Sequence, residues 1–74
     1  MVIIEVRPTY VVDGKRQVSN SEKSLRFMQV LSEDNFKLTS VREEASVLSL
    51  ENAIKMHGFA SCADKLRHYE IVKV

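Results

Sequence analysis

Apolar residues in the first half of the chain recur mostly at every second position, the period of a β-strand with one face turned to a core. Val2-Ile3-Ile4-Glu5-Val6 opens with β-branched residues, and Tyr10-Val11-Val12 continues them after Pro8. Proline has no N–H for a central ladder, so this stretch is read as a broken or bent edge strand. Asp13-Gly14 follows at once. A DG pair between extended segments favours a two-residue hairpin, because both turn positions need positive φ, and Lys15 to Val18 then forms the return strand. The polar run from Ser19 to Ser24 contains Ser19-x-x-Glu22, a capping box able to start a helix, and helix and loop both stay open there.

From Leu25 to Val41, Leu25, Phe27 and Leu31 alternate with Arg26, Met28 and Val30, and Phe36-Lys37-Leu38-Thr39-Ser40-Val41 resumes the alternation after a polar loop at Ser32-Glu33-Asp34-Asn35. Residues 25 to 41 are therefore a second hairpin. Ser49 then presents a helix cap, with Glu51 in the first turn, Leu50, Ala53 and Ile54 as apolar positions, and Lys55 and His57 toward the end. Gly58 is read as the stop, giving a helix over 50 to 57 whose start extends back as far as Arg42 in an alternative reading. Phe59 is the hydrophobic contact that often follows such a stop. Ser61 to Leu66 offers one further turn with Ser61 as its cap, and Tyr69 to Val74 returns to strand character.

Strands first, one principal helix and a last strand specify a small α+β domain over residues 1–74. Its antiparallel sheet is built from two N-terminal hairpins plus the C-terminal strand, with the helix packed on one face. Pairing of the last strand with the first would tie down both termini. Phe27, Met28, Phe36 and Phe59 are expected in the core.

Composition narrows the setting. The 74 residues are 45% hydrophobic and 28% charged, with a formal charge of +1, which suits a folded globule and argues against a strongly basic nucleic-acid module. The longest apolar run near the start, Met1 to Ile4, is far short of the roughly 20 residues that cross a bilayer, and Glu5 and Arg7 interrupt it where a signal peptide needs apolar residues. The single cysteine, Cys62, excludes an internal disulfide, so the expected compartment is a reducing cytoplasm with no membrane contact. A core this small is worth only a few kcal/mol, which makes a homodimer along an exposed edge strand a further expectation.

Candidate chemistry is sparse. His57, Cys62, Asp64 and His68 lie within twelve residues, yet His-x4-Cys-x5-His matches none of the short paired spacings of zinc sites. The alternative is that His57 caps a helix end, Cys62 is a small buried hydrophobe and His68 faces solvent. So short a chain has little room for a substrate cavity with an oxyanion hole, and two glycines exclude a glycine-rich phosphate loop. Neither an enzyme nor a resident cofactor is expected. Charge is more informative by segment: residues 1 to 31 sum to +2, residues 32 to 51 to −3 and residues 52 to 74 to +2.

Arg7, Tyr10, Lys15, Arg16 and Arg26 are candidates for a basic, partly aromatic partner-binding surface, and Glu33, Asp34, Glu43 and Glu44 for an acidic one. In size and style the chain is similar to the small proteins with which phages and mobile elements inhibit host machinery, anti-CRISPR proteins among them; the likeness transfers no residue roles. It implies a non-enzymatic module that inhibits or modulates a larger protein complex, one that handles nucleic acid included. The alternative is direct nucleic-acid binding by the basic N-terminal hairpin.

Overall fold

The computed structural model describes residues 1–74. The chain runs β1 (Val2–Val12), β2 (Lys15–Val18), a 3-10 turn (Glu22–Ser24), β3 (Arg26–Ser32), β4 (Asn35–Thr39), a second 3-10 turn (Arg42–Glu44), α1 (Leu50–Ala63) and β5 (Arg67–Lys73). All strand pairings are antiparallel and one helix crosses the sheet, so the α+β architecture is the one expected. Both hairpins form. Asp13 and Gly14 turn at φ 52° and 77°, the left-handed pair that a two-residue hairpin requires.

β1 is neither broken nor at an edge. It runs unbroken through Pro8 and pairs with three strands: Thr9 to Val12 with β2, Glu5 and Val6 with β3, and Val2 to Pro8 with β5. Pro8 is tolerated because its carbonyl still accepts from Ser19 N–H at 2.9 Å, and the donor it lacks would have faced Ser19, just past the end of β2. No ladder between two regular strands is interrupted.

β1 and β3 pair at only two positions, and the segment after the second 3-10 turn fills the space where they diverge. Val2 and Leu48 exchange both backbone hydrogen bonds, at 2.9 and 2.8 Å. Ser46 N–H donates to the Met28 carbonyl, and Ser46 Oγ accepts from Val30 N–H at 2.8 Å. Backbone groups that a wider gap would leave unpaired are thus satisfied by one serine and one bridge.

Alternation sends successive residues of β1 to opposite faces. Val2, Ile4 and Val6 point toward α1 and join Met28, Tyr69, Ala53, Met56 and Ala60 in the main core. Ile3 points the other way, into a smaller cluster with Phe27 and Ala45. Ala53 and Ala60 are both fully buried, seven residues apart, so the helix backbone lies close to the sheet between two small side chains. Phe36 sits edge-on to both Phe59 and Tyr69, with ring centroids 6.3 and 6.2 Å apart.

The helix begins as expected, with Ser49 Oγ accepting from Asn52 N–H, but it does not stop at Gly58. It continues to Ala63, absorbing the separate turn expected at Ser61, because burial of Ala60 and the Phe59–Phe36 contact outweigh the modest helix cost of one glycine. His57 is therefore mid-helix, where its Nε2–H donates to the Tyr69 carbonyl at 2.8 Å. The alternative start at Arg42 is a 3-10 turn followed by extended chain.

The link to β5 is built on Asp64. Its carboxylate accepts from Leu66 N–H, the Arg67 guanidinium and the Tyr69 hydroxyl. The Arg67 hydrogen bond is the leading cause that holds the Asp64 carboxyl below its ordinary range, with the Leu66 N–H next. Burial pushes the Tyr69 hydroxyl up.

These contacts yield three expectations. Ile4→Ala, at a site with no exposure, should cost about 2–5 kcal/mol in urea unfolding, whereas Ile54→Ala on the exposed helix face should stay within about 0.5 kcal/mol. Gly58→Ala should stabilise by about 0.5–1 kcal/mol, because the position is helical and an added Cβ meets nothing within 4 Å; a true helix stop would give the opposite sign. Asp64 has a depressed folded pKa, so its stabilisation is present above the unfolded value of about 3.9 and is lost as pH falls through the folded one. Asp64→Asn should melt earlier at neutral pH and show a shallower loss of stability below about pH 4 in thermal scans at stepped pH.

Candidate functional site

The most distinctive surface is the far end of the first hairpin. Beyond Pro8, β1 pairs only with β2, so Thr9 to Val18 form a two-stranded arm with no helix or second strand layer on it. Tyr10, Val11 and Val12 are 50%, 59% and 46% exposed. The register places Tyr10 and Val12 on one face with Gln17 and Lys15, and Val11 on the other with Arg16. Strong strand formers and the Asp13-Gly14 turn are enough to build such a ribbon locally. A lone hairpin is marginal in water, so its base is fastened: Thr9 Oγ1 donates to the Leu66 carbonyl at 2.6 Å and accepts from Arg16 at 2.7 Å.

The five basic and aromatic candidates do not share one surface. Tyr10, Lys15 and Arg16 are on the arm. Arg26 lies directly across from Val6 and so on the helix side of the sheet, where its Nη1 donates to the carbonyls of Lys23 and Leu25 at 2.9 and 3.0 Å. Arg7, one residue from Val6, projects from the opposite side, across from His68. Its Nη1 is out of solvent and has no hydrogen-bond partner.

The acidic candidates are also divided. Glu33 and Asp34 form the exposed turn of the second hairpin, where Ser32 Oγ donates to Asp34. Glu33 shares a cavity of about 450 Å³ on the helix side with Asn52 and Lys55. Glu43 and Glu44 belong to the second 3-10 turn, whose following residue Ala45 packs on Ile3 and Phe27 on the other side of the sheet. Glu44 there accepts from Thr39 Oγ1 at 2.6 Å. Neighbouring Arg42 pairs with Glu5 at 3.7 Å.

The histidine and cysteine group is dispersed. His57 is engaged with Tyr69, Asp64 with Arg67, Cys62 is exposed rather than buried, and His68 is exposed on β5. No three His, Cys, Asp or Glu side chains converge in the molecule.

Several surface features are invisible to spacing rules. Leu50 and Ile54, which mark the helix in the sequence, are 58% and 57% exposed, and Ala53 between them is the buried residue. Lys23 and Arg67 join Arg26 around a second cavity, of about 310 Å³, so this short chain holds more concave surface than its length suggests. Arg26 and Arg67 are 41 positions apart in the sequence and meet only because β3 and β5 both pair with β1. No helix is long and apolar enough to cross a membrane. Comparison with protein-family models, with curated proteins and with solved structures returns no match.

Proposed function

We propose that this chain is a non-enzymatic protein-binding module that inhibits or modulates a larger protein complex, with the hairpin arm as its leading contact. The observation that supports this reading is the exposure of Tyr10, Val11 and Val12 on both faces of a ribbon with no core of its own. Contiguous exposed apolar residues bounded by charge mark interaction surfaces, and tyrosine and arginine are over-represented among the residues that dominate them. Lys15 and Arg16 supply the charge. A specific interface needs roughly 800 Å² from each partner, about a sixth of the 5158 Å² that this chain exposes.

The arm ranks above the acidic residues because it is continuous, whereas Glu33 and Asp34 are separated from Glu43 and Glu44 by the sheet. An arm inserted into an acidic or apolar groove of a nucleic-acid-handling complex would work as a competitive plug. A cytoplasmic setting, consistent with the free exposed thiol of Cys62, belongs to the same reading. Direct nucleic-acid binding is the second reading, favoured by the grouping of Tyr10, Lys15 and Arg16 on one arm, where a base can stack and phosphates can pair.

The test is affinity capture from host lysate with and without nuclease, using the wild-type chain and a Tyr10→Ser/Val11→Ser variant whose sheet is verified by circular dichroism. A stoichiometric protein partner that survives nuclease and is lost with the variant is the expected outcome, with Ile54→Ser retaining it. Recovery of nucleic acid alone, with affinity falling steeply as salt rises, would transfer the function to the second reading. Light scattering of the bait reads the homodimer expectation in the same samples.

A further inference from the structure

On the helix side of the sheet, beyond the C-terminal end of α1, a cavity of about 310 Å³ is rimmed by Lys23, Ser24, Arg26 and Arg67. Its apolar lining comes from Val6, Pro8 and Leu38. Three cations around one small concavity repel one another unless something offsets them. The only carboxylate paired with any of the three is that of Asp64, on Arg67. Lys23 and Arg26 have no carboxylate oxygen within 4.0 Å.

Arg26 is also held in place. Its Nη1 is bound to two backbone carbonyls, those of Lys23 and Leu25, which fixes the guanidinium plane and leaves Nη2 and Nε as donors. A side chain whose orientation is set by the backbone loses little freedom when an anion arrives. Ser24 contributes a hydroxyl at the same rim, and the ammonium of Lys23 sits on a flexible stem able to close over a bound group.

From this arrangement we infer that the cavity is a binding site for a small phosphorylated ligand, a phosphate monoester whose apolar body rests on Pro8 and Leu38. A monoester carries about −1.5 to −2 at neutral pH, which matches the two uncommitted cations, the third being already paired with Asp64. The forked donors of a guanidinium match two oxygens of a tetrahedral oxyanion at once. The volume lies at the lower end of the range for small-ligand sites, roughly 300–1,000 Å³, so a small ester fits and a folded polymer does not. This site is separate from the exposed tip of the arm, and the two assignments stand or fall independently.

The test is a backbone amide NMR titration at low ionic strength with inorganic phosphate and with phenyl phosphate, sodium chloride serving as the ionic-strength control. The expected result is saturable binding, tighter for phenyl phosphate, with shifts concentrated at Lys23, Ser24, Arg26, Leu38 and Arg67. Lys23→Glu, at an exposed position on the 3-10 turn, should weaken binding at least tenfold without unfolding the chain, and Ser24→Asp should act in the same direction. Lys73→Glu, exposed at the far end of β5, should leave affinity unchanged. Shifts that stay linear in phosphate and spread over the surface lysines would overturn the assignment, as would equal binding by Lys23→Glu. So would the absence of any response to either phosphate compound.

Discussion

Burial of the first half of β1 on both faces and along both edges is the constraint from which the rest of the structure follows. A strand of 11 residues in a 74-residue chain offers enough backbone for three partners, and it uses them all. Because Val2, Ile4 and Val6 face one way and Ile3 the other, covering it needs material on two sides. The helix supplies one cover and the short 3-10 turn with Ala45 supplies the other. Where β3 turns away from β1, the Ser46 to Leu48 segment completes the hydrogen bonding, since a buried unpaired backbone group costs as much as the bond it fails to make.

This arrangement consumes most of the apolar residues in the first half of β1 and leaves its second half without cover. The contrast explains why the hairpin arm is exposed: the chain has one helix, and it lies over the part of the sheet where three strands meet. The free edge of β5 is managed differently. Val74 N–H is bonded to Met1, so even-numbered residues of β5 turn their backbone groups toward β1 and Tyr69 turns its carbonyl outward. His57 occupies that carbonyl, which removes one acceptor from an edge otherwise available to another strand.

The candidate surfaces were legible in part. Tyr10, Lys15 and Arg16 are exposed on the arm where their place around an Asp-Gly turn puts them, because a two-residue hairpin is local and its side-chain alternation is set by counting. Arg7 and Arg26 were grouped with them on sign of charge alone, and the pleat separates them: Arg26 shares a face with Val6, and Arg7, its neighbour in sequence, does not. Lys23 and Arg67 carried no signal at all. Their convergence depends on pairings between segments more than forty residues apart, and no period within either segment encodes that.

Local chemistry therefore determined both hairpins, the Ser49 cap, the strand character of the C-terminus and the α+β class, each through interactions between residues a few positions apart. Only the tertiary structure decided that β1 is central and continuous through Pro8, because an absent N–H matters only if a partner strand needs it there. It likewise decided that α1 runs through Gly58 to Ala63, since the stabilisation comes from Ala60 and Phe59 meeting the sheet rather than from helix propensity. The same reason governs which charges meet: sequence sets their spacing along the chain, and strand pairing sets their distance in space.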